Sequence, residues 1–213
     1  MAVPPVEINI DIRPSRRFEI IDVAALIRDQ VGDELRPFRK AAYCSFHTTA
    51  GYLEQGVCAR LGHSRKQLDP FIRAVQKIFP YDAGYFHDRM QLRDELSESQ
   101  KKKEPVNADS HLTFIGAGLK NCVTYIHRPD EPVYFIELDG IYKQNVRHRR
   151  TTIMAFDRTE IVHRGRVAIP VAGGHVIDSF NLKDTRYGLF EELEDWSQEF
   201  GIDKGCIDIR QAP

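Results

Sequence analysis

The sequence predicts an α+β fold: a mainly antiparallel sheet with two or three packed helices, and an extension at the C terminus. Three observations point there. Short segments rich in Val, Ile, Tyr, Phe and Thr recur between Gly, Pro and Asp punctuation, two stretches in the first half place apolar residues at helical spacing, and a third such stripe lies near residue 190. At 213 residues and 42% hydrophobic content the chain can build a real core, read as one globular domain with appendages.

Taken in order, Val6 to Ile12 alternates apolar with polar residues at the period of a half-buried strand, and Phe18 to Ile21 resumes it after Pro-Ser-Arg-Arg, which predicts a hairpin. Asp22 then caps a helix to about Val31, with Val23, Leu26, Ile27 and Val31 on one face. Ala41 to Phe46 returns to strand and delivers His47. Ser64 starts an amphipathic helix carrying Leu68, Phe71, Ile72, Val75 and Ile78, stopped at Pro80. Asp94 to Glu104 is a charge run without packing residues, expected to be a solvated, mobile loop. Leu112–Gly116, Asn121–His127, Val133–Leu138 and Thr151–Phe156 read as successive antiparallel strands, and Arg166–Val171 and His175–Ile177 as two more. Asp184 caps a last helix whose stripe is Leu189, Phe190, Leu193, Trp196 and Phe200, ended by Gly201.

Charge narrows the function. Thirty Lys plus Arg against 31 Asp plus Glu give a net charge of -1, so no global field favours nucleic acid or an anionic membrane. The first residues lack a basic start and an apolar signal core, and no apolar run is long enough to span a bilayer, which predicts a soluble protein. Cys44, Cys58, Cys122 and Cys206 are scattered without metal or redox spacing; they read as buried, reduced thiols and favour a cytoplasmic location.

The chemistry gathers at Cys44-Ser45-Phe46-His47-Thr48-Thr49-Ala50-Gly51. Thr48 and Thr49 offer hydroxyls and consecutive turn amides, a donor cluster suited to an oxyanion. His87 and His111 join His47 from two other segments. Each histidine alone is ordinarily a hydrogen-bonded structural residue, but three neutral imidazoles leave an open position on a divalent metal such as zinc, and partly protonated they hold phosphate instead. Arg147 and Arg149 share a face if strand alternation holds, and their guanidinium groups suit phosphate oxygens; a solvated sheet edge is the plainer role of that cluster. No GxGxxG, Walker A, nucleophile elbow or HExxH pattern is present.

Phe46-His47-Thr48-Thr49-Ala50-Gly51, Tyr85-Phe86-His87, Asn107-Ala108-Asp109-Ser110-His111-Leu112 and the Arg147 to Arg150 cluster, in that order, resemble the YjbQ-like family, also called secondary thiamine-phosphate synthases. The resemblance runs from about Val6 to Phe156. It implies a sandwich-like antiparallel sheet in a domain over residues 1–159; residues 160–213 lie outside the resemblance and are expected, from their apolar stripe, as a C-terminal extension packed on the same domain. It also implies a homotrimer with His47, His87 and His111 grouped in a pocket near a subunit boundary. The implied activity joins a pyrimidine diphosphate to a thiazole phosphate. Two departures stand out. Leu53-Glu54-Gln55-Gly56-Val57 replaces an Ile-Asn-Glu-Asn segment, leaving Glu54 as its displaced counterpart, and Glu137-Leu138-Asp139 replaces the family's Gly-Thr-Trp-Gln, so that its pocket glutamine becomes Asp139 or is lost.

The resulting expectation is an enzyme acting on a phosphorylated small molecule, with His47, His87, His111 and Glu54 catalytic, the three histidines also metal-ligating, and Thr48, Thr49, Asn107, Asp139, Arg147 and Arg149 binding the ligand. The alternative is a non-catalytic trimeric metal- or anion-binding protein that has lost turnover.

Overall fold

β1 (Val6–Ile12) alternates as its sequence predicts, burying Ile8, Ile10 and Ile12, but its partner is not the next strand. It pairs antiparallel with β9 (Arg149–Phe156), from Val6 opposite Ala155 to Ile12 opposite Arg149. The expected hairpin is therefore absent: β2 (Glu19–Asp22) joins a different sheet, because a period-2 pattern fixes which face is buried and not which strand lies alongside.

These relations come from a computed structural model that describes residues 4–93, 96–158, 161, 163–166, 168 and 184–202. The chain divides into two compact units, Met1–Arg158 and Thr159–Pro213. In the first, β1, β9, β3 (Lys40–Ser45) and β5 (Cys122–Ile126) form a four-stranded sheet in that order. A second sheet orders β2, β6 (Tyr134–Glu137) and β4 (Ala50–Gly51), and β7 (Ile141–Tyr142) pairs with β8 (Asn145–Val146). Strands that are neighbours in sequence mostly do not pair. With the helices below, this is the α+β class.

Helix α1 (Val23–Val31) starts where the Asp22 carboxylate accepts the Ala25 amide at 3.1 Å, and Val23 and Ile27 bury one face. α2 (Gln55–Arg60) is a short helix that the sequence pattern did not signal. α3 (Arg65–Ile78) buries Leu68 and Ile72; Ser64 holds its N-cap position without a side-chain cap bond, and Phe79, ahead of Pro80, ends it. The charge run contains α4 (Glu98–Lys101), one turn closed by a capping box between Ser97 and Gln100.

The largest departure is α5 (Ala108–Gly116), a helix where a strand was expected over Leu112–Gly116. Thr113, Phe114 and Ile115 favour strand locally, but Ala108, Asp109, Ser110 and Thr113 are buried by surrounding structure, and tertiary context overrides that propensity.

An aromatic ladder joins the two sheets. Tyr125 on β5 meets Tyr43 on β3 edge-on at 5.6 Å, Tyr43 meets Tyr52 at 5.7 Å, and Tyr52 meets Phe135 on β6 at 5.4 Å. The Thr151 hydroxyl donates to the Cys44 carbonyl, so the Tyr52 hydroxyl is the donor in its bond to Thr151 Oγ1.

In the second unit, Asp184 caps a 3-10 turn (Thr185–Tyr187) rather than a helix, and Gly188 at φ +60° leads into α6 (Leu189–Glu199). Of the expected stripe Leu189 is buried, Leu193 and Trp196 are half-buried, and Phe190 and Phe200 are exposed; Trp196 stacks on His163 at 3.7 Å. Apart from Arg166 and Ala168, the candidate strands at Arg166–Val171 and His175–Ile177 fall outside the described residues. No helix among the described residues is long and apolar enough to cross a membrane.

Candidate functional site

The site is built where β6 runs out into Leu138-Asp139-Gly140. Glu137, the last residue of β6, is fully buried, and Arg149 at the start of β9 grips it with two bonds, Nε to Oε2 at 2.6 Å and Nη2 to Oε1 at 2.9 Å. Arg149 Nη2 also donates to the Thr49 hydroxyl at 3.0 Å, and the Asp139 amide donates to Glu137 Oε1 at 2.8 Å. Burial pushes the Glu137 carboxyl above its ordinary value, with Arg149 opposing that rise.

Asp139 is the next link. Its side chain is 1% exposed; Oδ2 accepts Arg147 Nη2 at 2.8 Å and Asn107 Nδ2 at 3.0 Å. The Asn107 Oδ1 atom then meets His87 Nε2 at 3.3 Å, so a hydrogen-bonded run passes from Arg147 through Asp139 and Asn107 to His87. With Nδ2 donating to Asp139, Asn107 Oδ1 is the acceptor and His87 Nε2 carries the hydrogen.

A carboxylate from outside sets the N-terminus of α5. Asp88 Oδ1 accepts the amides of Asn107 and Ala108, each at 3.0 Å, satisfying two orphan helix donors beside the positive end of the helix dipole. This draws the 3-10 turn Phe86–Asp88 against α5, and His87 and His111 meet edge-to-face with ring centroids 5.0 Å apart. Asp109 in the first turn of α5 accepts from both terminal guanidinium nitrogens of Arg17, Nη1 and Nη2, at 2.9 Å each, and the Ser110 hydroxyl donates to the Leu138 carbonyl at 2.9 Å. Gly140 is required for this approach: a Cβ there would lie 2.5 Å from the Arg16 carbonyl oxygen and 2.5 Å from Pro14 Cβ.

His47 stands at the end of β3, and its Nε2 accepts the Arg150 amide at 3.0 Å, which requires a lone pair there and a neutral ring. Asn121 Nδ2 donates to the His47 carbonyl at 2.7 Å. Burial, with the Arg149 guanidinium second, holds the His47 imidazole below its ordinary value; burial, with His87 second, does the same for His111, whose surroundings also include a backbone hydrogen bond at Thr48.

The structure thus joins His87, His111, Asn107, Asp139 and Arg147, with Thr49, Arg149 and Glu137 as a buried layer beneath and the His47–Thr48 turn alongside. Glu54 is elsewhere, at the start of α2 in an exposed pair with Lys120. Four members are legible only in three dimensions: Arg17, Asp88, Asp109 and Glu137. Among the described residues no three His, Cys, Asp or Glu side chains are placed to hold a metal ion. The donor set explains it, since His47 Nε2 is occupied by Arg150 and His87 and His111 contact each other edge-on.

Several buried polar atoms of this network lack a hydrogen-bond partner: Asp139 Oδ1, Asp88 Oδ2, Arg17 Nε and Arg147 Nε. Arg17 Nε and Asp139 Oδ1 stand 4.0 Å apart. Two donors and two acceptors of this buried network thus carry no hydrogen bond of their own.

No family model matches the chain, and no curated protein matches it. Solved structures with a similar chain path include a YbjQ-like protein of unknown function from Sulfolobus solfataricus P2, at 17% identity over 73% of this chain and 99% of that one, with a TM-score of 0.47. A hypothetical protein from Aeropyrum pernix K1 aligns at 14% identity, 72% and 99% coverage and a TM-score of 0.47. An uncharacterized conserved protein of the yjbq/upf0047 family from Clostridium acetobutylicum aligns at 18% identity, 68% and 97% coverage and a TM-score of 0.43.

Proposed function

We propose that the protein is an enzyme acting on a phosphorylated small molecule, with the phosphate held between the His87–His111 pair and the partly exposed guanidinium of Arg147. The observation that carries this reading is the run Arg147–Asp139–Asn107–His87, which fixes a cation and an imidazole relative to each other while 35% of the Arg147 side chain stays exposed. In this reading His111 and His87 exchange protons with the reacting group, Thr48 lines the mouth, and Arg147 stabilises charge that develops on a departing phosphate or diphosphate. Transfer of the thiamine-phosphate synthase kind is the first reaction to assay.

The test separates binding from turnover. Calorimetry with inorganic phosphate should show binding by the wild type that weakens about 10- to 100-fold in Arg147→Met, since a charge-assisted bond is worth roughly 1.5–3 kcal/mol. Chromatography should then show product from a pyrimidine diphosphate and a thiazole phosphate, lost in His111→Ala. Phosphate binding without turnover of any phosphorylated substrate would make this a binding protein; no phosphate binding would remove the reading. Uptake of one zinc ion per chain, lost equally in His47→Ala, His87→Ala and His111→Ala, would reassign the imidazoles to metal. For the homotrimer that the family resemblance implies, light scattering should give about three subunits per particle, and a monomer at micromolar concentration would remove it.

The depressed imidazoles add a pH dependence. Because the folded values of His47 and His111 lie below the unfolded value of about 6.5, their contribution to stability is present above that pH and is lost as pH falls through the window below it. An anion that pairs with the protonated rings offsets this loss. Sulfate, whose charge is constant over the range, should therefore raise the melting temperature more at pH 5.5 than at pH 7.5. An equal rise at both pH values would place the anion away from these histidines.

A further inference from the structure

Cys44 ends β3 and Cys122 begins β5, and they are directly opposed in the antiparallel register. The Ser45 amide donates to the Asn121 carbonyl at 2.6 Å and the His127 amide to the Arg39 carbonyl at 2.8 Å, so the odd-numbered positions of this ladder are its hydrogen-bonded pairs. Cys44 and Cys122 therefore form a non-hydrogen-bonded pair, the kind whose Cα atoms stand about 4.5 Å apart with side chains close together. That separation lies inside the range that a disulfide spans, about 4.4–6.8 Å. The two sulfurs are 2.9 Å apart. Tyr43, Val123 and Tyr125 point into the core, so alternation turns both cysteines to the other face of the sheet, where each is half-buried.

We propose that Cys44 and Cys122 are a reversible dithiol–disulfide site that takes a peroxide as its oxidant. One thiolate attacks a peroxide oxygen: an S–O bond forms, the O–O bond breaks and, with a proton, the first water leaves. The second sulfur attacks the resulting sulfenic sulfur, the S–S bond forms, the S–O bond breaks and a second water leaves. Two thiols and one hydrogen peroxide become one disulfide and two waters; the sulfurs are oxidised and the peroxide is reduced. The link ties together the strand ends that bear the His47 turn, because Asn121, next to Cys122, holds the His47 carbonyl. This inference is independent of the phosphate reading.

The full chain is treated with hydrogen peroxide, alkylated under denaturing conditions and mapped by peptide mass spectrometry. Two of the four cysteines should escape alkylation, with a Cys44–Cys122 crosslinked peptide two hydrogens lighter than the reduced pair and restored by dithiothreitol. The oxidised chain should melt several degrees higher, since the link closes a loop across 78 positions. Cys58→Ser should keep the link, and Cys44→Ser or Cys122→Ser should lose it. A link to Cys58 or Cys206, a disulfide between two chains, sulfinic acid at either position, or four alkylated cysteines after peroxide would each overturn the proposal. The wild-type map decides it even if a serine variant folds poorly.

Discussion

Replacing Arg149 by Met should destabilise the protein by about 3–5 kcal/mol, because it leaves the fully buried Glu137 carboxylate without its cation. For a unit of this size that corresponds to roughly 6–20 °C in melting temperature. The pair is not stabilising in proportion, since much of its attraction offsets the desolvation of two charges. The double variant Glu137→Leu/Arg149→Met should therefore recover most of the loss, and the difference between single and double variants measures the coupling. The single variant should also be pH-sensitive. With Arg149 gone, the folded Glu137 value moves further above its unfolded one, so the carboxyl contributes stability at low pH that is lost as pH rises through the folded value. Denaturant melts at pH 5 and pH 8 should show the smaller deficit at pH 5. A deficit under about 1 kcal/mol at both would mean that Glu137 reaches water.

Phe135→Ala should have an effect of similar size, about 3–5 kcal/mol, for a different reason. Phe135 is fully buried at one end of the aromatic ladder, edge-on to Tyr52, and its removal opens a cavity between the two sheets that rigid strands close poorly. Phe46, just before His47, is 70% exposed, and Phe46→Ala should change stability by less than about 0.5 kcal/mol. Urea melts of the two variants make the comparison, with near-ultraviolet circular dichroism reporting the tyrosines. Equal, small losses would show that the sheets collapse onto the space and that the ladder is not a structural joint.

Much of the fold is legible from local pattern. β1, α1, β3, α3 and α6 follow from apolar period and punctuation, since these depend on residues a few positions apart. Pairing is not legible in the same way: nothing within Val6–Ile12 names Arg149–Phe156 as its partner. The segment 108–116 misleads because its β-branched and aromatic residues suit a strand, while its helical state depends on Asp88 at one end and burial along one side. The site divides similarly. His87, His111 and Asn107 stand out in sequence as imidazoles and an amide in short polar motifs, and they do come together. Arg17 and Asp109 look like ordinary surface charges, and only a bond across 92 positions makes them part of the site. Cys44 and Cys122 lack a recognisable spacing for the same reason.

The pairing of β1 with β9 also has a consequence for biosynthesis. At about 5–20 residues per second, roughly 7–30 s pass between the emergence of Ile12 and that of Arg149 from a translating ribosome, and until then β1 has no sheet to join. β3 can pair with β5 once residue 126 is made, but its other edge waits on β9, so the four-stranded sheet closes only after its last strand is made. A nascent chain halted before residue 149 would carry apolar strands with open edges, a natural substrate for chaperones that bind such segments, while one halted a few dozen residues later would release them together.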